Sequence, residues 1–263
     1  MLALVLDFDG VIFDSAREAL LVSLRTYLAL EPASTLAAEA PSLEAALCDL
    51  GTDILSVPRL AAFMALMPLG NRAEDYGVTW AILDQGRAVH DQADYDAFQA
   101  GTRPDWRQSF HRHLYAVRHG LAATRPDEWL RLHRPYPHLV EMLRRRAGQV
   151  PFAIATAKDR QSVRMLLAAH GLEGLFPGEL ILDKEAGVGK RAHLERLREK
   201  LAVAYSEMTF VDDKLNHLEA VGGLGVRGVL AAWGYNGVRE RELARVRGFS
   251  VASEDDAEAV LFD

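Results

Sequence analysis

Five short, continuous apolar runs mark the chain and predict strands that are buried on both faces, as in a parallel sheet. The runs cover residues 2–6, 151–155, 179–182, 208–211 and 226–231. A helical pattern precedes each of the last four runs, at residues 138–146, 160–170, 192–201 and 215–221. Strands that alternate with helices over residues 135–231 predict βαβ units and an α/β fold with a doubly wound parallel sheet.

Residues 15–133 carry no comparable strand pattern. They contain amphipathic stretches instead, at residues 16–30, 42–50, 59–67, 80–90 and 105–118. A segment of this length is too long to be a loop within a compact domain. We therefore expect two domains: an α/β core made of residues 1–14 and 134–263, and an all-helical domain of residues 15–133 inserted directly after the first strand.

Composition narrows the classes of protein that remain. The 263 residues are 49% hydrophobic and 25% charged, which is typical of a globular protein and excludes disordered, collagen-like and disulfide-scaffold classes. A net charge of −7 argues against a nucleic-acid partner. No apolar run approaches about 18 residues, so no membrane span is predicted. The single cysteine, Cys48, cannot form an internal disulfide, which is typical of a protein in a reducing compartment. We therefore expect a cytoplasmic protein. We also expect it to be a monomer or a homodimer.

Polar residues follow the predicted strands at the edge of the sheet where α/β proteins bind ligands. These residues are Asp7, Asp9, Thr156, Asp212 and Asp213, with Lys190 between the third and fourth core strands. Several carboxylates at one edge would repel each other unless a cation joins them, and oxygen ligands suit Mg²⁺. A hydroxyl and a lysine supply what a phosphoryl dianion needs. The set predicts phosphoryl chemistry.

The same residues resemble the motifs of the haloacid dehalogenase-like hydrolase superfamily. Residues 7–15, DFDGVIFDS, are similar to its first motif, and Thr156 within residues 154–158 is similar to its second. Lys190 matches the third motif, 22 residues before Asp212, and residues 210–213 match the acidic fourth. The insertion falls where members with a helical cap of the C1 type carry theirs.

This resemblance implies a role for each matched residue. Asp7 would be the nucleophile that forms an aspartyl-phosphate, and Asp9 the general acid and then the base. Mg²⁺ would be held by the Asp7 carboxylate, the Asp9 backbone carbonyl and the Asp213 carboxylate, with help from Asp212. The remaining implied contacts to the phosphoryl group or substrate are those of Thr156, Lys190, Gly10, Ala157 and Lys158.

Two assignments within these motifs stay open. Many members carry a second acid about four residues after the aspartate of the fourth motif, where this chain has His217. Either Asp212 or Asp213 could therefore be the direct metal ligand. Lys184 also competes with Lys190 as the lysine of the third motif.

The function implied is a Mg²⁺-dependent phosphatase acting on a small phosphorylated metabolite. The alternative within the superfamily is a phosphomutase, which shares every core residue. From other classes, a phospho-receiver signalling domain would lack the helical insertion and the Asp7/Asp9 pair. A non-catalytic binding protein with this fold would be expected to have lost Asp7 or Asp9, and both are present.

Overall fold

The computed structural model describes residues 1–70, 72–187 and 189–262. The chain divides into two compact units, which are described separately below. The α/β unit comprises residues 1–14 and 134–263, and the helical unit comprises residues 15–133. Within the described residues, no helix combines the length and the apolar character needed to cross a membrane.

The elements are numbered in chain order. The strands are β1 (Ala3–Leu6), β2 (Phe13–Asp14), β3 (Arg134–Pro135), β4 (Phe152–Ala155), β5 (Ile181–Leu182), β6 (Met208–Asp212), β7 (Arg227–Ala231) and β8 (Ser250–Ala252). The helices of the helical unit are α1 (Ala16–Leu30), α2 (Ala40–Cys48), α3 (Pro58–Leu66), α4 (Ala73–Asp84), α5 (Gln92–Gly101), α6 (Pro104–Thr124) and α7 (Pro126–Arg131). Those of the α/β unit are α8 (Pro137–Arg146), α9 (Arg160–Ala169), α10 (Lys190–Leu201), α11 (Leu215–Gly222), α12 (Val238–Val246) and α13 (Ala257–Phe262).

Six parallel strands form the sheet of the α/β unit, in the order β5-β4-β1-β6-β7-β8. The predicted α/β fold with a parallel sheet is confirmed. From β1 the chain builds outward through β4 and β5, and then crosses back to β6 on the other side of β1. This reversal between β1 and β6 is the position at which sheets of this kind bind ligands.

The apolar runs form central strands because both of their faces are covered. Every residue of β1 is fully buried. Its Val5, for example, lies between Ala153 of β4 and Phe210 of β6. Leu194 of α10 and Leu218 of α11 belong to the same apolar cluster as these side chains. Burial of each large apolar side chain contributes about 1.5–3 kcal/mol, which holds the polar strand ends in fixed positions.

A two-stranded antiparallel hairpin marks where the chain leaves the α/β unit and returns to it. Phe13 of β2 pairs with Pro135 of β3, and Asp14 pairs with Arg134. The Tyr136 N–H also donates to the Ile12 carbonyl, at 3.0 Å. The two crossing points are therefore adjacent in the α/β unit. Strands of two residues each have no detectable hydrophobic period, and the sequence analysis missed them.

Other elements depart from the sequence prediction. The strand predicted at residues 179–182 contains only Ile181–Leu182, because residues 178–180 form a 3₁₀ turn. The helix predicted at residues 80–90 is Ala73–Asp84, where the Asp75 carboxylate accepts the Arg72 N–H at the start. Strand β8 and helices α5, α7, α12 and α13 were not predicted, since most are short and polar.

Helices α1, α4 and α6 pack against one another to form the centre of the helical unit. Trp80 of α4 is fully buried, and its indole N–H donates to Ser23 Oγ of α1 at 2.8 Å. Gly77 of α4 allows the Phe110 ring of α6 to approach, since a Cβ at residue 77 would lie 2.6 Å from that ring. The helical unit therefore has a specific core of its own.

A buried ion pair joins α1 to α6 in the helical unit. Arg118 Nε and Nη2 donate to the two Glu18 carboxylate oxygens at 2.6 and 2.8 Å, and both side chains are almost completely buried. The His133 ring lies beside the same carboxylate, with Nε2 3.9 Å from Glu18 Oε2. Because the charges lie out of water, each depends on its partner.

Replacing Arg118 with methionine should lower the free energy of unfolding by about 3–5 kcal/mol, because Glu18 would remain buried without its cation. The control is Arg112→Met on the exposed face of the same helix, which should change the free energy by less than about 0.5 kcal/mol. Urea denaturation followed by circular dichroism measures both variants. Equal stabilities for the two variants would contradict a stabilising role for the pair.

Candidate active site

The central strands of the sheet bring the predicted site residues to one edge. Leu6 of β1 lies opposite Val211 of β6 on one side and Ile154 of β4 on the other. Asp7 continues this pairing, since its N–H donates to the Val211 carbonyl at 2.9 Å. Asp7, Thr156 and Asp212 are therefore neighbours although they are far apart in sequence.

Lys190, the first residue of α10, reaches into this edge and bridges two carboxylates. Its Nζ lies 2.7 Å from Asp7 Oδ1 and 3.0 Å from Asp212 Oδ2, and it donates to the Ala155 carbonyl at 2.8 Å. Burial favours the neutral amine, but the two carboxylates outweigh burial and raise the pKa of Lys190. Of the two candidate lysines, the structure places Lys190 on the carboxylates, whereas Lys184 begins a 3₁₀ turn.

The two carboxylates on Lys190 differ in their electrostatics. Burial raises the pKa of Asp7, although Lys190 opposes this effect. Burial also favours the neutral form of Asp212, but His217 and Lys190 together hold its pKa below the ordinary value. Asp212 is therefore a stable anion that supports Lys190, while Asp7 is the more basic carboxylate.

Asp213 lies beside these groups but points to different partners. Its Oδ2 accepts the Tyr235 N–H at 2.8 Å, and its backbone carbonyl accepts Asn236 Nδ2 at 3.1 Å. Burial and the neighbouring Asp212 charge raise the pKa of Asp213 well above its ordinary value. An additional cation next to Asp213 would remove this electrostatic penalty.

Gly10 makes room for the Asp213 carboxylate. Its φ of +81° is a left-handed conformation, and a Cβ at this position would lie 2.4 Å from Asp213 Oδ2. A glycine is required here for both reasons. Gly10 was predicted near the phosphoryl group, and in the structure it lies against the Asp213 carboxylate.

His217 occupies the position where an acid was expected. Its Nδ1 lies 3.1 Å from both oxygens of Asp212. Asp7, Asp212 and His217 each place one ligand atom within 4.8 Å of the others, which is a spacing that could hold a metal ion. The Lys190 ammonium already bridges Asp7 and Asp212, however, so the cation of this group is the lysine.

The loop after β4 holds Thr156, Ala157 and Lys158. Thr156 is buried, its Oγ1 accepts the Lys158 N–H at 3.1 Å, and Ala157 is exposed. Lys158 Nζ lies 3.0 Å from Asp9 Oδ1 and 3.3 Å from Asp9 Oδ2. The structure thus pairs Lys158, a predicted phosphate contact, with Asp9, the predicted acid. These residues are 149 positions apart, and the sequence pattern did not predict their contact.

The loop that follows β7 also contacts the site and was not predicted from the sequence. Besides the contact of its N–H with Asp213, Tyr235 donates its hydroxyl to Asp14 Oδ1 at 3.2 Å. Trp233 Nε1 donates to the Val11 carbonyl at 3.1 Å. The position of this loop could have been predicted. Residues 232–237 follow the fifth predicted strand, so they lie at the same edge of the sheet as the other strand ends.

Comparisons with known proteins agree with this geometry. The family model described as haloacid dehalogenase-like hydrolase matches residues 1–225. None of the curated proteins matches the chain.

Solved structures share the fold at low sequence identity. A predicted phosphoglycolate phosphatase from Haemophilus somnus has 18% identity and a TM-score of 0.61, with 98% of this chain and 96% of that chain covered. A haloacid dehalogenase-like protein from Streptococcus pneumoniae has 11% identity and a TM-score of 0.61, with 99% and 98% covered. A predicted β-phosphoglucomutase from Thermotoga maritima has 15% identity and a TM-score of 0.54, with 99% and 98% covered. At these identities the likeness shows the fold alone.

In the presence of a chelator at pH 7, Asp213→Asn should raise the midpoint of thermal unfolding. Asparagine keeps an acceptor for the Tyr235 N–H but removes a buried charge. Because the pKa of Asp213 is raised in the folded protein, ionisation opposes folding at neutral pH, and this cost disappears as the pH falls toward about 3.9, the ordinary value.

The advantage of the Asp213 variant should therefore shrink between pH 7 and about pH 4. Asp255→Asn, at an exposed position, is the control and should show no such trend. A variant that melts below the unmodified protein at pH 7 would show that Asp213 is not electrostatically strained.

Proposed function

The chain belongs to the haloacid dehalogenase-like hydrolase family, and we propose that it is a Mg²⁺-dependent phosphatase that forms an aspartyl-phosphate on Asp7. The observation that supports this most directly is the orientation of the Asp7 carboxylate. Lys190 Nζ and the Phe8 N–H both lie 2.7 Å from Oδ1. Two donors on Oδ1 leave Oδ2 as the oxygen that attacks phosphorus.

The reaction would proceed in two steps, phosphoryl transfer to Asp7 and hydrolysis of the aspartyl-phosphate. In the first, Asp7 Oδ2 forms a bond to phosphorus, the bond from phosphorus to the ester oxygen breaks, and Asp9 gives its proton to that oxygen. In the second, Asp9 takes a proton from water as the water oxygen bonds to phosphorus. The bond to Asp7 then breaks with its electron pair returning to the carboxylate, and inorganic phosphate leaves. Division into two steps lowers each barrier.

Thr156 and Lys190 would bind the oxygens of the transferring phosphoryl group. The Thr156 hydroxyl accepts the Lys158 N–H, which leaves its own hydrogen for donation to a phosphoryl oxygen. The Lys190 ammonium is positioned by two carboxylates and a carbonyl, so it needs little reorganisation during the reaction. These donors act where negative charge accumulates.

The residues present fit a Mg²⁺ ion on the Asp213 side of the site. The carboxylates of Asp7 and Asp213 and the Asp9 carbonyl are the hard oxygen donors that Mg²⁺ prefers. The raised pKa of Asp213 indicates a carboxylate that lacks sufficient positive charge. Bound Mg²⁺ would supply that charge and neutralise part of the phosphoryl dianion. Asp212 already contacts Lys190 and His217 and would support the site indirectly.

The helical unit is proposed to be a cap of the C1 type that determines substrate preference. It joins the α/β unit through β2 and β3, which pair with each other, and β2 begins six residues after Asp7. A unit tethered by two adjacent crossings can open and close as a lid over a reaction. The substrate would be a small phosphorylated metabolite, which is consistent with the phosphoglycolate named for one structural neighbour.

Asp7→Asn should lower kcat for 4-nitrophenyl phosphate at least about 100-fold, equivalent to about 2.7 kcal/mol, because the amide cannot act as the nucleophile. Inorganic phosphate is the product to measure, since a phosphomutase would pass the phosphoryl group to another hydroxyl. Asp53→Asn, at an exposed helix start in the helical unit, is the control. Residual turnover above about 1% in a folded variant would refute the covalent role of Asp7.

Activity should require Mg²⁺ and disappear in excess EDTA, and Ca²⁺ should replace Mg²⁺ poorly because its coordination shell is larger and looser. Mg²⁺ should also raise the midpoint of thermal unfolding of the unmodified protein. Asp213→Asn should abolish that rise, and Asp255→Asn should retain it. Full activity in excess EDTA would be incompatible with the proposed metal.

A further inference from the structure

The pairing of Lys158 with Asp9 assigns this lysine a task other than binding phosphate. We propose that Lys158 is a positioning residue that fixes the orientation of the Asp9 carboxylate in both steps of the reaction. This inference rests on the proposed function, in which Asp9 transfers the proton.

The Lys158 side chain is built into the protein. It is fully buried, and its Nζ lies 3.0 and 3.3 Å from the two Asp9 oxygens. The backbone that carries it is held by the Thr156 hydroxyl and by the Lys184 N–H, which donates to the Lys158 carbonyl at 3.3 Å. The next residue, Asp159, caps α9 by accepting the Ser162 N–H at 2.9 Å. A buried ammonium needs a counter-charge, and Asp9 provides it.

Asp9 lies between β1 and β2, outside the named strands of the sheet. Its carboxylate is 31% exposed, so water can reach it for proton exchange. Contact of the ammonium with both oxygens selects one orientation and leaves lone pairs on the solvent side for a proton. A shift of about 1 Å in a reacting group can cost about 100-fold in rate.

The two buried lysines of the site therefore have separate partners. Lys190 contacts Asp7, Asp212 and the Ala155 carbonyl, which suits the nucleophile and the phosphoryl group. Lys158 contacts Asp9, the group that exchanges a proton with the ester oxygen and with water. In the structure the Lys158 ammonium contacts both oxygens of this acid.

The test compares two esters that differ only in how much protonation the leaving group needs. Phenyl phosphate needs an acid, whereas 4-nitrophenyl phosphate releases a stable phenolate. Lys158→Met should lower kcat/KM about 100-fold for phenyl phosphate but less than about fivefold for 4-nitrophenyl phosphate, because kcat/KM reports the first step, in which only the poorer leaving group needs the proton from Asp9. Inhibition by inorganic phosphate should stay within about twofold of that of the unmodified protein, because phosphate binding does not depend on Asp9.

A double-mutant cycle with Asp9→Asn provides the second readout. If Lys158 acts through Asp9, adding Lys158→Met to Asp9→Asn should lower kcat less than about threefold further. Lys158→Arg, which keeps the charge, should restore part of the loss for phenyl phosphate. Lys200→Met is the control, since residue 200 is exposed on α10, about 15 Å along the helix from Lys190.

Each outcome decides between the alternatives. Equal losses of kcat/KM for both esters, with weaker inhibition by inorganic phosphate, would show that Lys158 binds the phosphoryl group and would overturn the inference. If Lys158→Met does not fold, Lys158→Arg and the double variant, which removes both charges, supply the same comparison. If the unmodified protein hydrolyses neither ester with Mg²⁺, the proposed function itself is wrong.

Discussion

Three carboxylates at the end of two adjacent strands share a space that water hardly reaches, and the Lys190 ammonium makes this arrangement possible. Lys190 contacts Asp7 and Asp212 directly, while Asp213 remains electrostatically strained. Unpaired charges in such a place would cost several kcal/mol each. The start of α10 and the Asp7 carboxylate meet at this point, and the burial of Asp213 beside Asp212 raises the pKa of Asp213.

The loops at the sheet edge are shaped by the need to surround Asp213. Gly10 has no Cβ where Asp213 Oδ2 lies, and a Cβ at Gly234 would lie 2.3 Å from the Gly10 carbonyl. The Tyr235 N–H donates to the same carboxylate. Backbone groups thus pack closely around one buried oxygen. Close packing of this kind fixes the carboxylate before any ligand binds, which is the preorganisation that phosphoryl chemistry requires.

Much of the fold and of the candidate site could be predicted because the signals are local. Continuous apolar runs predicted five of the six strands of the parallel sheet, and Asp7, Thr156 and Asp212 follow three of them. Strand β8 and the hairpin of β2 and β3 were missed because segments of two or three residues are set by their pairing partners rather than by their own pattern. Likewise, only the fold shows which of Lys184 and Lys190 reaches the carboxylates.

The sequence by itself determined the order of the elements and which residue types stand at the strand ends, since hydrophobic period and chain direction decide both. It could not decide how the charged groups pair. Asp212 and Asp213 are adjacent in sequence, yet one faces Lys190 and His217 and the other faces Gly10 and Tyr235. Lys158 meets Asp9 across 149 residues. Such pairings depend on side-chain direction and on burial, which exist only once the sheet has formed and its edge is closed.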